Sequence, residues 1–368
     1  MQKNNNRNEW DQYCSDELAY ITPLLIKHGY TLDTIQPHIK GERFLMQAVT
    51  TTSGFKLILL GTNKHNERVV IKASRDKNGI REINHERMCR NILTKIDFAR
   101  DVFHTPREVA YSTHGKYVIA IQEFIDQTST FLERPLAEQF DFALSAFKGQ
   151  EGAHATTFKH RRLIQGVFGI RSAHEYLHNI HMFRTNIEET SQKFAEVVSL
   201  LTTLETYMST RSENIQQYCG FLTHTDFVPH NFRIKNDTIY LLDHSSLTFG
   251  NKYEGWARFI NFMTLYNPPL QKALECYVHD NRTPEESESL HLMRMYRLSE
   301  ILWYYISTLS KSSDNLYTLN TERVHFWKNI LAHVLEEKEV PHDIIENYKT
   351  RRDALRSEDE KYRQQGLH

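Results

Sequence analysis

The sequence predicts an α+β fold in which a small sheet-containing lobe precedes a larger helical lobe. Short apolar runs rich in β-branched residues, separated by turn-forming residues, fill the chain from about residue 44 to residue 125. Beyond about Thr130, apolar residues recur three and four positions apart, as on one face of a helix, and a single hairpin interrupts that pattern. We therefore assign residues 1–125 to the first lobe, 126–348 to the second, and 349–368 to a charged carboxy-terminal tail.

The composition argues against several classes of function. The chain of 368 residues has a formal charge of −1 and an isoelectric point near 7.1, so no global basic field attracts nucleic acid. No apolar run reaches transmembrane length, and the polar start lacks the apolar core of a signal peptide. The four cysteines are scattered without metal-type pairs, which suits a reducing compartment. We expect a cytoplasmic protein that binds neither nucleic acid nor a membrane.

A helix and five antiparallel strands are predicted for the first lobe. Apolar residues at helical spacing indicate a helix over Asp16–His28 that ends at Gly29, with Pro23 marking a kink or a break. The predicted strands are Phe44–Val49, Phe55–Leu60, Arg68–Ala73, Glu108–Ser112 and Lys116–Phe124. A second helix, Ile80–Leu93, lies between the third and fourth of them.

The helices near the end of the chain have recognisable boundaries. Thr283 is a good helix cap, followed by Pro284 at the first position, and the helix is predicted to run to about Leu309. Another is predicted over Glu322–Glu337. Residues 349–368 are almost wholly charged or polar, which predicts a solvated helix or tail.

Lys72 stands in an otherwise apolar predicted strand. If its side chain faces inward it needs an anionic partner, because an unpaired buried charge is costly. The alternative is an exposed lysine on an edge strand. Glu82 and Glu86 on the following helix are both candidate partners, and we favour Glu86 because the apolar, packed part of that helix follows it.

The stretch from residue 221 to residue 249 contains the densest set of chemically suggestive residues. Its apolar runs flank the turn at residues 235–237 and predict a β-hairpin. Asp226 and Asn231 precede the hairpin, and Asp243 follows it. Phosphoryl transfer from ATP needs one carboxylate to receive a hydroxyl proton, and an amide and a second carboxylate to hold Mg²⁺. Turn chemistry alone also favours aspartate and asparagine in such loops.

Together these features resemble the aminoglycoside phosphotransferase and choline kinase family, a branch of the protein-kinase-like fold. The resemblance covers roughly Phe44–Met263. It implies a bilobal fold with a five-stranded antiparallel amino-terminal lobe and a mainly helical carboxy-terminal lobe. It also implies an ATP- and Mg²⁺-dependent kinase that transfers the γ-phosphate to a hydroxyl group of a small molecule, of the aminoglycoside, amino-alcohol or sugar type.

The resemblance assigns a role to each matching residue in the second lobe. The family's catalytic loop, His-Gly-Asp with asparagine five residues later, is matched by His224-Thr225-Asp226 and Asn231. It implies that Asp226 is the catalytic base or orients the substrate hydroxyl, and that Asn231 and Asp243 bind Mg²⁺. His224 would brace the loop without taking part in the chemistry.

The nucleotide-binding residues are implied in the same way. Lys72 would hold the α- and β-phosphates of ATP, and Glu86 would fix that lysine. The hinge would bind the adenine through backbone groups, and the loop between the first two strands would bind phosphate through backbone amides and hydroxyls. The matching hinge residues are Glu123, Phe124 and Ile125, and the loop residues are Thr51, Thr52 and Ser53.

Two departures from the family's sequence pattern, and the length of the segment after Asp243, indicate what kind of substrate to expect. The loop at residues 50–54 has one glycine where protein kinases carry a glycine-rich flap, and Thr225 replaces the commoner glycine beside Asp226. Only about a dozen residues separate Asp243 from the helix near Trp256, and no Ala-Pro-Glu follows. That length leaves little room for the segment on which protein kinases lay a peptide, so we expect a small hydroxylated substrate.

Other interpretations remain open at this point. A kinase-shaped module that binds nucleotide without catalysis would carry the same residues. The segment His174-Glu175-Tyr176-Leu177-His178 matches the His-Glu-x-x-His pattern of zinc proteases, with His181 as a conceivable third ligand. Several aromatic and acidic residues could face a cationic substrate but are more typical of core and surface: Trp256, Trp303, Tyr304, Tyr305 and Trp327, and Glu254, Asp280, Glu285 and Glu300.

Overall fold

A five-stranded antiparallel sheet followed by a mainly helical part confirms the predicted fold class. The computed structural model describes residues 5–39, 55–93, 95, 104–152, 158–190 and 192–364. The first sheet has the order β1-β2-β3-β5-β4. Its strands are β1 (Tyr30–Leu32), β2 (Leu57–Asn63), β3 (Arg68–Ser74), β4 (Glu108–His114) and β5 (Tyr117–Glu123).

The sheet agrees with four of the five predicted strands. The predicted strand Phe44–Val49 lies outside the described residues. The fifth strand of the observed sheet is instead Tyr30–Leu32, which pairs with the outer edge of β2. A strand of three residues is too short to show the alternation by which strands are recognised, so nothing in the sequence marked it.

The first helix, α1 (Asn5–Lys27), begins earlier than predicted and is not broken by Pro23. Its buried face, which includes Trp10, Cys14, Ile21 and Leu25, packs against the apolar face of the sheet. Pro23 lies on the exposed side of the helix. The helix ends where Gly29 adopts a φ of 81°, a conformation that glycine tolerates without strain.

Helix α2 (Lys77–Leu93) lies between β3 and β4 in the chain and packs against β3 and β5, on the face of the sheet opposite to α1. Its first turn is capped by Asp76, whose Oδ2 accepts hydrogen bonds from the backbone amides of Asn78 and Gly79, both at 2.9 Å. The buried residues Ile83, Glu86 and Cys89 lie one turn or less apart. Helix α2 therefore carries a glutamate at the level of the central strand.

The helical lobe surrounds two small antiparallel strand pairs. One pair is the predicted hairpin, β7 (Phe232–Lys235) and β8 (Thr238–Leu241), and the other is β6 (Phe221–His224) with β9 (Leu247–Gly250). The two-residue turn Asn236–Asp237 has positive φ at both positions, 49° and 59°, as a type I′ hairpin requires. The hairpin confirms the strand prediction for this stretch.

The remaining described elements are helices. The cap predicted at Thr283 is present, with the Thr283 hydroxyl accepting from the Glu286 amide at 3.3 Å. In chain order the helices are α3 (Leu136–Glu151), α4 (Phe158–Val167), α5 (Ala173–Thr190), α6 (Ala195–Ser209), α7 (Ser212–Gln217), α8 (Glu254–Tyr266), α9 (Pro268–Asn281), α10 (Pro284–Leu309), α11 (Asp314–Leu335), α12 (His342–Leu355) and α13 (Glu358–Gln364).

An aromatic cluster beneath the hairpin anchors the loop that follows β6. The rings of Phe147 and Trp256 stack at 4.2 Å, and Phe227 packs edge-on against Phe147 at 5.5 Å and stacks on Phe232 at 5.0 Å. Phe227 is 1% exposed. Burial of a phenylalanine contributes roughly 1.5–3 kcal/mol, so the backbone at Asp226 is held by its neighbour in the core.

The charged end of the chain is not simply solvated. In α13, Glu360 and Arg363 are buried, and Arg363 donates hydrogen bonds from Nε and Nη2 to the Glu360 carboxylate at 3.1 and 2.6 Å. The helix packs against the short turn Pro37–Ile39 of the first lobe. Charged residues can be buried when they pair with each other, so the charged composition of residues 349–368 did not indicate that part of this segment is packed. Among the described helices, none combines the length and apolarity needed to span a membrane.

A buried carboxylate joins three helical segments of the second lobe. Glu254, at the start of α8, is completely buried. Its Oε1 accepts from Arg171 at 2.7 Å and from Arg297 of α10 at 3.3 Å, and its Oε2 accepts from the Tyr176 hydroxyl of α5 at 2.6 Å. Glu254, which the sequence analysis took as more typical of the surface, therefore connects three helices of the second lobe.

We predict that Glu254→Gln lowers the free energy of unfolding by about 3 kcal/mol, because removing one partner of a buried ion pair leaves the other charge uncompensated. Urea denaturation followed by circular dichroism measures the change. Glu358→Gln is the matched control, since the Glu358 side chain is 89% exposed and should not alter stability measurably. Equal stability of the two variants would contradict this assignment of Glu254.

Candidate active site

A deep cleft lies between the sheet and the β7–β8 hairpin. Strands β2 and β3 form its roof, and the paired residues Ile58–Lys72 and Leu60–Val70 direct their side chains into it. From the second lobe the cleft is lined by Asn231, Leu242 and Asp243 among others. The hairpin and the sheet thus bring the predicted polar residues of both lobes to one cavity.

Lys72 is paired with Glu86. The Lys72 Nζ lies 2.5 and 2.6 Å from the two carboxylate oxygens of Glu86, and the side chains are only 12% and 4% exposed. Strand β3 lies in the middle of the sheet, so Lys72 is not an edge-strand residue. Glu82, the other candidate partner, instead binds Lys56, with Nζ and Oε2 2.9 Å apart.

Lys56 is a cleft residue that the sequence reasoning missed. Burial alone would lower the pKa of its ammonium group, but the carboxylates of Glu82 and Glu86 outweigh that effect and raise it. Lys56 is therefore a second fixed positive charge beside Lys72. Period-two alternation could have found it, because Lys56 precedes Ile58 and Leu60 on the same strand face.

The segment after β5 forms the back of the cleft. Glu123, Phe124 and Ile125 all line the cavity. The Glu123 and Phe124 amides already donate to the carbonyls of Arg107 and Arg68, at 3.0 and 3.1 Å, and the Arg68 guanidinium lies 3.9 Å from the centre of the Phe124 ring. The other predicted nucleotide contacts, Thr51, Thr52 and Ser53, lie outside the described residues.

Asp226 is held in place by two neighbours. Asn231 donates from Nδ2 to both the carbonyl oxygen and Oδ2 of Asp226, each at 2.8 Å. Arg258 of α8 donates from Nε to Oδ1 of Asp226, also at 2.8 Å. The Asp226 side chain is 38% exposed and faces a second cavity. Arg258 was not foreseen, because no local pattern links it to a loop more than thirty positions earlier.

The loop before Asp226 is tied to the loop after Asp243. His224 is completely buried, and its Nε2 lies 2.6 Å from the Asp243 carbonyl oxygen. Burial lowers the pKa of the His224 imidazole, and the nearby carboxylates of Asp243 and Asp226 oppose part of that effect. The amide and hydroxyl of Thr225 both donate to the Ser246 carbonyl, at 2.9 and 3.0 Å. The threonine that replaces glycine thus supplies a hydrogen bond that glycine cannot make.

The Asp243 carboxylate is fixed by hydroxyl groups. Its Oδ1 accepts from the Ser245 hydroxyl at 2.5 Å, and its Oδ2 accepts from the Ser246 hydroxyl at 2.8 Å. Burial would raise its pKa, but nearby His224, the two hydroxyl groups and Lys56 outweigh burial and lower the pKa to about 2. A charged carboxylate beside an amide oxygen is a donor set suited to a hard cation such as Mg²⁺.

A second cavity of about 460 Å³ opens beside Asp226. Four of the five aromatic residues singled out in the sequence line it, whereas Trp256 belongs to the buried core. Arginines are prominent in its wall, and none of them was foreseen because they come from several helices. The aromatic and arginine residues of this wall include Trp303, Tyr304, Tyr305, Trp327, Arg258, Arg297, Arg323, Arg356 and Arg363.

The His174–His178 segment does not form a zinc site. The two imidazole rings lie parallel with centroids 6.3 Å apart. Glu175 accepts from the Ser172 amide at 2.7 Å and so caps α5, and the Nδ1 of His181 contacts Glu205 at 2.9 Å. Within the described part of the chain, no group of three or more histidine, cysteine, aspartate or glutamate side chains is placed to hold a metal ion.

Comparisons with known proteins identify the fold. No protein-family profile matches the chain, and no curated protein sequence is significantly similar to it. Macrolide 2′-phosphotransferase type I superposes with a TM-score of 0.55 at 11% identity, covering 84% of this chain and 97% of that protein. A thermostable mutant of aminoglycoside phosphotransferase APH(4)-Ia superposes with a TM-score of 0.54 at 13% identity, covering 77% and 94%.

A further structure of the second protein contains ligands. This thermostable mutant in ternary complex with AMP-PNP and hygromycin B superposes with a TM-score of 0.52 at 13% identity, covering 80% of this chain and 97% of that one. The chain therefore shares the fold of these small-molecule phosphotransferases, which agrees with the resemblance found in the sequence.

We predict that Asp243→Asn lowers the free energy of unfolding by about 2 kcal/mol at pH 7, since one pKa unit corresponds to about 1.4 kcal/mol. The folded-state pKa of about 2 lies below the ordinary value of 3.8, so the stabilisation is present above that value and is lost as the pH falls through about 2. Urea denaturation at pH 7 and at about pH 3 should show the difference shrink. The exposed Asp141 of α3 provides the control, because Asp141→Asn should have no effect at either pH. A difference that is independent of pH would contradict the prediction.

Proposed function

We propose that this chain, which has the fold of aminoglycoside and macrolide phosphotransferases, is an ATP- and Mg²⁺-dependent kinase that phosphorylates a hydroxyl group of a small molecule. The observation that carries the proposal is the set of groups around the cleft. A buried Lys72–Glu86 pair lies in its roof, Asn231 and Asp243 lie in its floor, and Asp226 is hydrogen-bonded to Asn231 at its mouth. Enzymes with the protein-kinase fold transfer a phosphoryl group with a lysine–glutamate pair, a catalytic aspartate, and an asparagine and a second aspartate that bind the metal.

The nucleotide fits the cleft by its chemistry. The aliphatic side chains of Ile58, Leu60, Val70 and Leu242 offer two apolar surfaces between which a purine ring can stack. Because the Glu123 and Phe124 amides already have acceptors, we assign recognition of the adenine edge to the Ile125 amide and the Glu123 carbonyl. Lys72 and Lys56 would hold the phosphates.

Asn231 and Asp243 would hold Mg²⁺. Asn231 uses its Nδ2 to hold Asp226, which leaves its Oδ1 as the donor to a cation. Asp243 is charged throughout the physiological pH range because its pKa is about 2. Bound Mg²⁺ would neutralise the negative charge of the phosphates during transfer. The Ser245 and Ser246 hydroxyls orient the Asp243 carboxylate toward this role.

Asp226 would accept the proton of the substrate hydroxyl. The hydroxyl oxygen attacks the γ-phosphorus, the bond between that phosphorus and the β–γ bridging oxygen breaks, and ADP leaves with the bridging oxygen. Arg258 and Asn231 hold the Asp226 carboxylate in one orientation, so the base is positioned before the acceptor arrives.

The acceptor is proposed to be small because the chain after Asp243 is short and ordered. Residues 244–246 form a single helical turn, β9 pairs with β6, and α8 begins at Glu254. No extended segment lies there on which a peptide could bind. We place the enzyme in the cytoplasm, which supplies ATP, and its four cysteines are free thiols, as a reducing compartment would keep them.

We predict that Asp226→Asn lowers kcat about 10³-fold while leaving the affinity for Mg-ATP within twofold, because it removes the base but keeps a side-chain oxygen that can accept from Asn231. Turnover of a panel of aminoglycosides, amino alcohols, sugars, sugar acids and sugar phosphates, followed by ADP release, gives kcat, and calorimetry gives the nucleotide affinity. Asp237→Asn, at the exposed turn of the same hairpin, is the control and should behave like the wild type.

Two results would contradict the proposal in different ways. A wild-type protein that does not bind Mg-ATP cannot be a kinase. A protein that binds Mg-ATP but turns over no acceptor, and whose Asp226→Asn variant is indistinguishable from it, would be the alternative, a nucleotide-binding module without catalysis.

A further inference from the structure

We propose that the phosphoryl acceptor is an anion, carrying a phosphate or carboxylate group that Arg356 and Arg297 bind in the cavity beside Asp226. This inference rests on the kinase function proposed above and narrows its substrate. The cavity would therefore bind a hydroxyl compound that carries an acidic group more tightly than one that carries amino groups.

The wall of the cavity carries more positively than negatively charged side chains. Five arginines line it against three carboxylates, counted over the described residues. Each of the three carboxylates already has an arginine partner: Asp226 with Arg258, Glu300 with Arg297, and Glu360 with Arg363. An ammonium group entering the cavity would meet excess positive charge and carboxylates that are already paired, whereas an anion would meet charges of the opposite sign.

Two of the arginines have donors that lack an acceptor. The Nε atoms of Arg297 and Arg356 are buried and have no hydrogen-bond partner within the described residues. Their side chains are 8% and 9% exposed. Both guanidinium groups are therefore incompletely compensated by the protein, which favours an anion in the cavity that they line.

Arg356 has the weaker internal compensation of the two. Its Nη1 donates to the neutral Gln364 side chain at 2.5 Å, and the carboxylate of Asp353 is 4.0 Å away. Arg297 is compensated by Glu254 and Glu300. Of these two, Arg356 is therefore the residue whose charge an acceptor is better placed to neutralise, and a guanidinium binds phosphate or carboxylate through two parallel hydrogen bonds.

Two of the aromatic rings in the wall of the cavity are less available to bind an ammonium group. The Arg323 guanidinium lies 5.2 Å from the centre of the Tyr305 ring, and the Arg352 guanidinium lies 5.6 Å from that of Tyr266. Both rings line the cavity and already face a cation from the protein. The aromatic wall can instead pack on the apolar face of a sugar or a planar ring.

We predict that the cavity binds anions at least tenfold more tightly than matched neutral compounds. The probes are glucose, glucosamine, gluconate and glucose 6-phosphate, titrated calorimetrically into the full-length protein after its nucleotide site has been saturated with Mg-AMP-PNP. Gluconate and glucose 6-phosphate should bind most tightly and glucosamine least. A tenfold difference is what one charge-assisted hydrogen bond contributes at the lower end of its range.

Arg356→Gln should weaken binding of gluconate and glucose 6-phosphate about tenfold without changing the affinity for Mg-AMP-PNP or glucose. Arg356→Lys, which keeps the charge, should restore part of the loss. Arg351→Gln is the control, because Arg351 lies in the last turns of α12, just before Arg356, with 65% of its side chain exposed, and pairs with Glu322 outside the cavity. Thermal denaturation of each variant establishes that it is folded.

The outcomes separate this inference from the proposed function. The inference would be overturned if gluconate and glucose 6-phosphate bound no more tightly than glucose, or if none of the probes bound detectably. It would also be overturned if Arg356→Gln weakened the binding of glucose as much as that of the anions. Preference for glucosamine with intact Mg-AMP-PNP binding would overturn the anionic acceptor alone. Failure of the wild type to bind Mg-AMP-PNP would overturn the kinase function itself.

Discussion

The buried ion pair between Lys72 and Glu86 is the constraint on which the upper half of the site depends. Both side chains are almost fully withdrawn from water, and each would be costly to bury without the other. The pair therefore fixes helix α2 against the central strand of the sheet. Cys89, one turn further along α2, packs into the core of the helical lobe, so the same helix connects both halves of the molecule.

The lower half is organised by contacts between two loops. His224 and Thr225 bind backbone carbonyls that follow the hairpin, and Phe227 is anchored in the aromatic core. These contacts hold Asp226 where its side chain faces the second cavity. His230, Asn231 and Arg363 line both cavities and so mark the boundary across which a phosphoryl group would pass.

The sequence was informative wherever a feature is local. The hairpin, its turn, the Thr283 cap and the position of Lys72 follow from patterns within a few residues, and the structure contains all of them. The strand Tyr30–Leu32 is too short to show a pattern. The cavity beside Asp226 could not be predicted, because Arg258 and Arg297 lie on α8 and α10 and Arg356 directly follows α12, and no single-sequence periodicity encodes how these helices pack.

The packing of α13 on Pro37–Ile39 bears on how the two lobes move. A bilobal enzyme with one connecting segment can open by rotation about that segment alone. Here α13 is a second connection between the lobes, since it follows α12 in the chain, packs against the first lobe and borders both cavities. If a nucleotide binds in the cleft, as proposed, any opening wide enough to release it must either break this contact or carry α13 along, and its release would then be coupled to the wall of the second cavity.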